Sequence, residues 1–279
     1  MTDHTTLVSP LVEEIASRIP EAPPEARPGR AQLAAVVASI AERFRPDRIV
    51  LFGSRAYGTP TFDSDVDLMV VMETDLPNPE QAFRIHSTLE LVPSFALDIL
   101  VRRPEQIALG LAEGDFFIHD VMRKGIALYD DGRRSWEMSA PGTPPPAGAG
   151  GVTQAAQGWL DKGDQDLAAA RVLGAPPNPL FDPACFHAQQ AAEKILKGFL
   201  QQHLTPFPRT HNLEDLANLA PLVLPGVQSH LADLQWLTTF AVDIRYPGAT
   251  ATAADIARAI QIADDVRTLV RSALGLPTT

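Results

Sequence analysis

Two apolar runs, joined through a small-residue turn and a pair of acids, constrain this chain more than any other feature. Ile49-Val50-Leu51-Phe52 runs into Gly53-Ser54; after ten intervening residues Asp65-Val66-Asp67 leads into Leu68-Met69-Val70-Val71. Continuous apolar runs of this length, punctuated by glycine, read as buried β-strands separated by a sharp turn. Side chains alternate along a strand, so Asp65 and Asp67 project from the same face. Two carboxylates this close repel each other and stay ionised comfortably only with a cation between them. Hard oxygen ligands on a rigid strand, with room left for phosphate oxygens, suit Mg²⁺. The Gly53-Ser54 turn offers backbone N–H groups and a hydroxyl to an anion such as a triphosphate. The pattern predicts a metal site beside a phosphate cradle.

Two familiar loops share part of this pattern and fail on it. Gly53 and Gly58 have the spacing of a P-loop, but Thr59 stands where that loop requires Lys. Asp63, Asp65 and Asp67 imitate the start of an EF-hand, but Leu68 replaces its Gly and Thr74 its bidentate Glu. A polar turn with a capped strand edge is the bland alternative. Against it stands a third acid, Asp98, alone in the apolar run Phe95-Ala-Leu-Asp-Ile-Leu-Val101. A buried unpaired carboxylate is costly, so Asp98 is expected to share the metal with Asp65 and Asp67. An Asp on a strand edge facing water is the other reading.

The Gly-Ser turn, the Asp-x-Asp pair and the isolated strand Asp together resemble the DNA polymerase β-type nucleotidyltransferases, in their minimal branch. The resemblance spans about residues 31 to 132 and includes a closing strand at Gly125–Tyr129, with its Leu128-Tyr129. It implies an α+β domain, a mixed sheet with helices. It also implies that Gly53 and Ser54 hold the triphosphate and that Asp65 and Asp67 bind metal. Asp98 would complete the metal site and help activate the attacking group. Two Mg²⁺ ions and an NTP, with ATP as the first choice, are the expected cofactor and substrate.

The rest of the chain sets limits on this picture. Its 279 residues, 45% of them hydrophobic, suffice for two cores. A net charge of −11 argues against an unaided basic footprint for duplex nucleic acid. A single cysteine, Cys185, excludes an intramolecular disulfide framework and fits a reducing compartment. There is no basic-then-apolar signal pattern at the start, and no apolar run reaches the roughly 18 residues of a membrane span. A cytoplasmic protein without membrane association is expected.

Along the chain, residues 1–30 read as a weak helix over the short amphipathic stretch Leu11–Ile19 and a flexible, Pro-rich lead-in. Residues 31–138 form the nucleotidyltransferase-like domain, with helices expected at Ala31–Phe44, Glu80–Leu91, Glu105–Leu111 and Phe116–Lys124. Residues 139–151, SAPGTPPPAGAGG, are proline and small residues that cannot bury a core, and read as a linker. Residues 152–279 show helical periodicity almost throughout: Ala155–Leu173, Pro183–His203, Leu213–Leu219, His230–Tyr246 and Ala253–Leu274. An all-α bundle is predicted.

The phrases FHAQQAAEKILKGFL, THNLEDL and DIRYPG in this second region resemble the HEPN family (higher eukaryotes and prokaryotes nucleotide-binding), over about residues 155 to 274. Many members are metal-independent RNases built on an Arg followed by four to six residues and then His. No His of this chain follows an Arg at that spacing: Arg209 has His211 only two residues on, and Arg245-Tyr246-Pro247 has none. The resemblance therefore does not extend to the RNase pair. On bland readings His187 and His203 are polar helix edges, Cys185 is a small core residue, and Trp159 and Trp236 belong to the core. Gln189, Gln190, Glu193 and Lys194 read as a solvated helix face, the other reading being the lining of a groove for a nucleotide or acceptor.

The two resemblances imply transfer of a nucleoside monophosphate to an acceptor that could be a small molecule, an RNA or a protein. The helical domain would help bind nucleotide or acceptor, with the acceptor expected where the domains meet, and would form a homodimer. Two alternatives remain open. One is a fused toxin–antitoxin-like module that modifies a macromolecule or itself, with Tyr57, Tyr129 and Tyr246 the available tyrosines. The other is an aminoglycoside nucleotidyltransferase, for which the acidic first domain would suit a cationic acceptor.

Overall fold

Four strands make the sheet of the first unit: β1 (Arg48–Phe52), β2 (Val66–Val71), β3 (Leu97–Arg102) and β4 (Ile126–Asp130), in the order β3-β2-β1-β4. A computed structural model describes residues 9–21, 28–57, 64–89, 95–136, 151–208, 210–220, 224, 226–241 and 250–278. The chain divides into two units, Met1–Ala112 with Phe116–Ala140, and Glu113–Asp115 with Pro141–Thr279. β1 pairs antiparallel with both β2 and β4, while β2 and β3 run parallel, so the sheet is mixed. A parallel pair needs a crossover, and α4 (Asn78–Ser87) lies between β2 and β3 in sequence.

Helices cover both faces of the sheet, which is why the strands read as unbroken apolar runs rather than alternating ones. On one face Ile49, Leu51, Leu68 and Val70 pack with Leu33, Val37 and Ile40 of α2 (Arg30–Phe44) and with Ile85 of α4. On the other, Val50, Phe52, Met69 and Val71 pack with Ile107 of α5 (Pro104–Glu113) and with Ile118 and Val121 of α6 (Phe116–Lys124). Each such side chain contributes about 1.5–3 kcal/mol by leaving water, so the central strands are the rigid part of the unit.

The weak helix expected over Leu11–Ile19 is α1 (Pro10–Arg18), and it belongs to the first core: Ile15 and Ile19 are buried among the α2 and sheet residues. Its short apolar stripe finds a partner surface that the sequence does not display. α4 ends at Ser87 rather than running to residue 91; Ser87 Oγ donates to the Phe83 carbonyl and Thr88 Oγ1 to that of Ile85. Such back-bonding competes with helix propagation. Leu91 itself lies outside the described residues.

The second unit is helical, as predicted: α7 (Gln154–Leu173), α8 (Phe181–Gln202), α9 (Leu213–Asn218), α10 (Leu231–Thr238) and α11 (Ala253–Ala273). α8 packs against both α7 and α11 and carries Ile195, Leu196, Phe199 and Leu200 into the core. α7 and α8 approach closely because small residues line their seam. A β-carbon at Gly163 would lie 2.6 Å from Ile195 Cγ1, and one at Gly198 would lie 3.0 Å from Leu160 Cδ2. Caps set the helix starts: Thr153 accepts from Ala156 N–H, Asn212 from Glu214 N–H, and Thr252 forms a capping box with Asp255. The helix expected over 230–246 is α only to Thr238, then 3₁₀ over Thr239–Ala241. Thr238 and Thr239 hydroxyls donate to the Leu234 and Trp236 carbonyls, which explains the change. Residues 242–249, like the linker residues 139–150, lie outside the described residues.

Candidate active site

The turn after β1 is fixed by steric exclusion. Gly53 has φ of 74°, a left-handed conformation costly for any residue with a β-carbon. A β-carbon there would also stand 2.1 Å from Asp67 Oδ2 and 3.0 Å from its Cγ. Position 53 is therefore glycine for two independent reasons. Ser54 begins a single helical turn, α3 (Ser54–Tyr57), in which the N–H groups of Ala56 and Tyr57 both donate to the Gly53 carbonyl at 3.1 Å.

Sheet register brings two of the three acids together. Asp67 lies opposite Phe52 on β1 and beside Asp98 on β3. Asp67 alternates with Met69 and Val71, so it shares the α5–α6 face of the sheet, at the end where β1 turns. Asp65 immediately precedes β2, two residues from Asp67, and is exposed. Among the described residues no three His, Cys, Asp or Glu side chains are gathered into a ready-made metal centre. Asp67 and Asp98 are neighbours, and Asp65 flanks them. Like charges spread apart unless a cation draws them in, and the donor set of hard carboxylate oxygens fits Mg²⁺.

Asp98 is not the buried acid that its apolar neighbours predict. β3 is an edge strand, and Asp98 is exposed on it. No desolvation cost demands a partner; its claim on the site rests on its register beside Asp67. Asp63 and Gly58, which entered the EF-hand and P-loop comparisons, lie outside the described residues.

Arg55 joins this turn without having been among the expected residues. It is 6% exposed, and donates from Nε to the Ser64 carbonyl at 3.1 Å and from Nη1 to the Pro28 carbonyl at 3.4 Å. Burial lowers its pKa, and the negative charge of Asp65 opposes that shift. The guanidinium thus ties the Gly53-Ser54 turn to the segment that delivers Asp65. A long basic residue inside a turn of small ones was the available signal. A cavity of about 480 Å³, lined by Arg45, Tyr129 and Arg133 among others, opens at the opposite end of β1, since Tyr129 pairs with Ile49.

In the second unit the supposed solvated face is half buried: Gln189 and Glu193 are 0% and 3% exposed, Gln190 and Lys194 are partly exposed, and the neighbouring Lys197 is 7% exposed. Lys197 Nζ lies 2.7 Å from Glu193, donates to the Thr210 carbonyl at 3.0 Å, and stands 5.7 and 5.8 Å from the ring centres of Trp159 and Phe207. Gln189 Nε2 donates to Glu193 Oε2 and to the His211 carbonyl, and His211 Nδ1 lies 3.1 Å from Glu193. Burial alone would raise the Glu193 pKa. The Lys197 hydrogen bond and charge, with the hydrogen bonds of Gln189 and His211, hold it below the usual carboxylate range. Charges so placed must satisfy one another, which helical periodicity cannot reveal. Trp159 is thus half of an aromatic clamp on Lys197, whereas Trp236 packs against the core. His187 pairs with Asp166 at 2.8 Å, and His203 Nδ1 lies 2.9 Å from the Phe199 carbonyl. Cys185 is a core residue; burial pushes its thiol up to about 12, helped by Asp255 and Asp182. Arg209, Arg245 and Tyr246 lie outside the described residues.

Comparison with known proteins matches both units. Residues 36–134 match the family model described as polymerase beta, nucleotidyltransferase, and residues 156–273 match that of the HEPN domain. No curated protein matches the chain. Among solved structures, TT1696 from Thermus thermophilus is 23% identical with a TM-score of 0.37, over 43% of this chain and 98% of that one. ST0689, described as an archaeal HEPN homologue, is 25% identical with a TM-score of 0.36, over 43% and 97%.

Proposed function

Since the chain joins a nucleotidyltransferase domain of the polymerase beta type to a HEPN domain, we propose that it transfers a nucleoside monophosphate from an NTP to an acceptor. The observation that carries this reading is the contact of Asp67 with the Gly53 turn, together with its register beside Asp98. A phosphate cradle and a carboxylate pair then adjoin at one strand end. An acceptor oxygen attacks the α-phosphorus, the bond to the bridging oxygen of pyrophosphate breaks, and pyrophosphate leaves. Catalysis of this type is mainly positioning and charge neutralisation.

In this scheme the Gly53 backbone and Ser54 hydroxyl hold the triphosphate in line. Asp65 and Asp67 would hold Mg²⁺, which when bound neutralises phosphate charge and polarises the reacting phosphorus. Asp98, exposed at the sheet edge in register beside Asp67, would take the proton of the attacking group. Arg55 keeps the Asp65 segment against the turn. ATP is the proposed donor. The same pair of domain types also supports a toxin–antitoxin-like module, in which the acceptor is a macromolecule or the chain itself. Self-association through the second unit is part of the proposal, and the solution mass of the full chain tests it.

The deciding experiment incubates the full chain and Mg²⁺ with each α-labelled NTP in turn, alone and with cell extract separated into small molecules, RNA and protein. Labelled acceptor and released pyrophosphate in equal amounts are expected, and label on the chain alone would favour self-modification. No pyrophosphate from any NTP would overturn the reading.

A further inference from the structure

Lys124 stands at the rim of the phosphate cradle, on the side of the turn away from the acids. Leu51 of β1 pairs with Ile126 of β4, so the residues just before Ile126 run alongside the end of β1. Gly125 sits so tightly there that a β-carbon would lie 2.5 Å from Val50 Cγ1 and 3.1 Å from the Leu51 carbonyl oxygen. Lys124, the last residue of α6, is therefore held beside the Phe52–Gly53 turn. An edge-to-face contact of Phe117 with Phe52, at 5.6 Å between ring centres, fixes α6 to the same strand end.

The side chain is oriented as well as placed. Lys124 Nζ pairs with Asp120 at 2.6 Å and lies 5.9 Å from the ring centre of Tyr57, the last residue of α3. The Tyr57 hydroxyl donates to Asp120 Oδ2 at 3.3 Å. The ammonium is thus poised over the short helix that Gly53 and Ser54 open, while remaining 51% exposed and so open to a ligand. Arg55, on the same helix, is buried and committed to two carbonyls.

We infer that Lys124 is the cation that receives the β- and γ-phosphates of the NTP, an inference that rests on the nucleotidyltransferase reading above. A triphosphate crossing the turn presents its α-phosphate to Asp65, Asp67 and Asp98 and carries its remaining charge toward α6. Carboxylates and any metal they hold can balance the first part only. Lys124 balances the second, exchanging Asp120 for a phosphate oxygen as its partner. A Lys at a helix C-terminus is ordinarily read as a complement to the helix dipole, which is why sequence alone does not single it out.

The test is equilibrium binding of ATP to the full chain with Mg²⁺ for the wild type, Lys124→Gln and Lys124→Arg, with thermal melting of each. Lys124→Gln should melt as the wild type does yet bind ATP about tenfold or more weakly, the scale of one charge-assisted contact. Lys124→Arg should recover most of that loss, and the salt dependence of binding should be shallower in Lys124→Gln. Equal ATP affinity in Lys124→Gln and wild type would overturn the inference, as would a Lys124→Arg variant as weak as Lys124→Gln. A wild type that binds no ATP would instead overturn the underlying nucleotidyltransferase reading.

Discussion

The carboxylate of Asp67 occupies the space that a β-carbon on residue 53 would need, with 2.1 Å between that position and Asp67 Oδ2. Gly53 follows β1 and Asp67 lies on β2, in different parts of the motif, yet neither can be changed without disturbing the other. Gly53→Val must shift the turn, displace Asp67, or both, and it must also adopt a positive φ. Ser54→Ala removes one hydroxyl, at about 1 kcal/mol, or roughly fivefold in affinity. NTP binding measured on the two variants should therefore fall much further for Gly53→Val. Unchanged affinity in Gly53→Val would remove the turn from the nucleotide site.

Asp67→Asn and Asp98→Asn should each lower Mg²⁺-dependent NTP turnover by about a hundredfold or more, the usual scale for losing one preorganised charge in an active site. Asp98 is exposed on an edge strand, so its variant should melt at the wild-type temperature. Rates and melting curves on the same preparations check both statements. A doubly substituted chain with most of its activity would refute the assignment.

Much of this was legible in the sequence because the strands are short, apolar and punctuated. Gly53 and the apolar runs on either side of it declare the turn and its flanking strands through spacing alone. What was not legible depends on pairing between distant segments. That β3 is an edge strand, and hence that Asp98 meets water, follows from strand order, which no local pattern encodes. The same holds for α1, whose stripe looked too weak to matter until α2 offered a surface for Ile15. In the second unit, Gln189 and Glu193 read as part of a solvated helix face, and contacts with Lys197 and with the segment carrying Thr210 and His211 take them out of water.

The buried Glu193–Lys197 pair has a pH signature. The folded-state pKa of Glu193 is depressed below its unfolded value of about 4.3, so the ionised form contributes stability that is present above that pH. The contribution is lost as pH falls through the folded value. Lys197, His211 and Gln189 are the groups facing the carboxylate. Denaturant unfolding of the wild type and Glu193→Gln should differ most at neutral pH and converge as pH falls below the depressed folded-state value. Glu193→Ala, which strands the Lys197 ammonium, should cost about 3–5 kcal/mol at pH 7. A gap between wild type and Glu193→Gln that persists at low pH would show that ionisation of Glu193 is not the stabilising factor.

The second unit should not cleave RNA without metal. Family RNases of this type place four to six residues between an Arg and the following His, and no His in this chain meets that spacing. His211, the residue nearest to a substitute, has Nδ1 beside both oxygens of Glu193, at 3.1 and 3.2 Å. An imidazole so held can exchange a proton at Nε2, but general acid–base catalysis also needs a second group across the scissile phosphate. The sequence provides no Arg at the required spacing to stabilise the developing charge. Full-length protein in chelator, incubated with structured and unstructured RNA, should therefore cleave neither above the level of His211→Ala. Cleavage by the wild type that disappears in His211→Ala would restore a nuclease role to this unit, with Glu193 orienting its base.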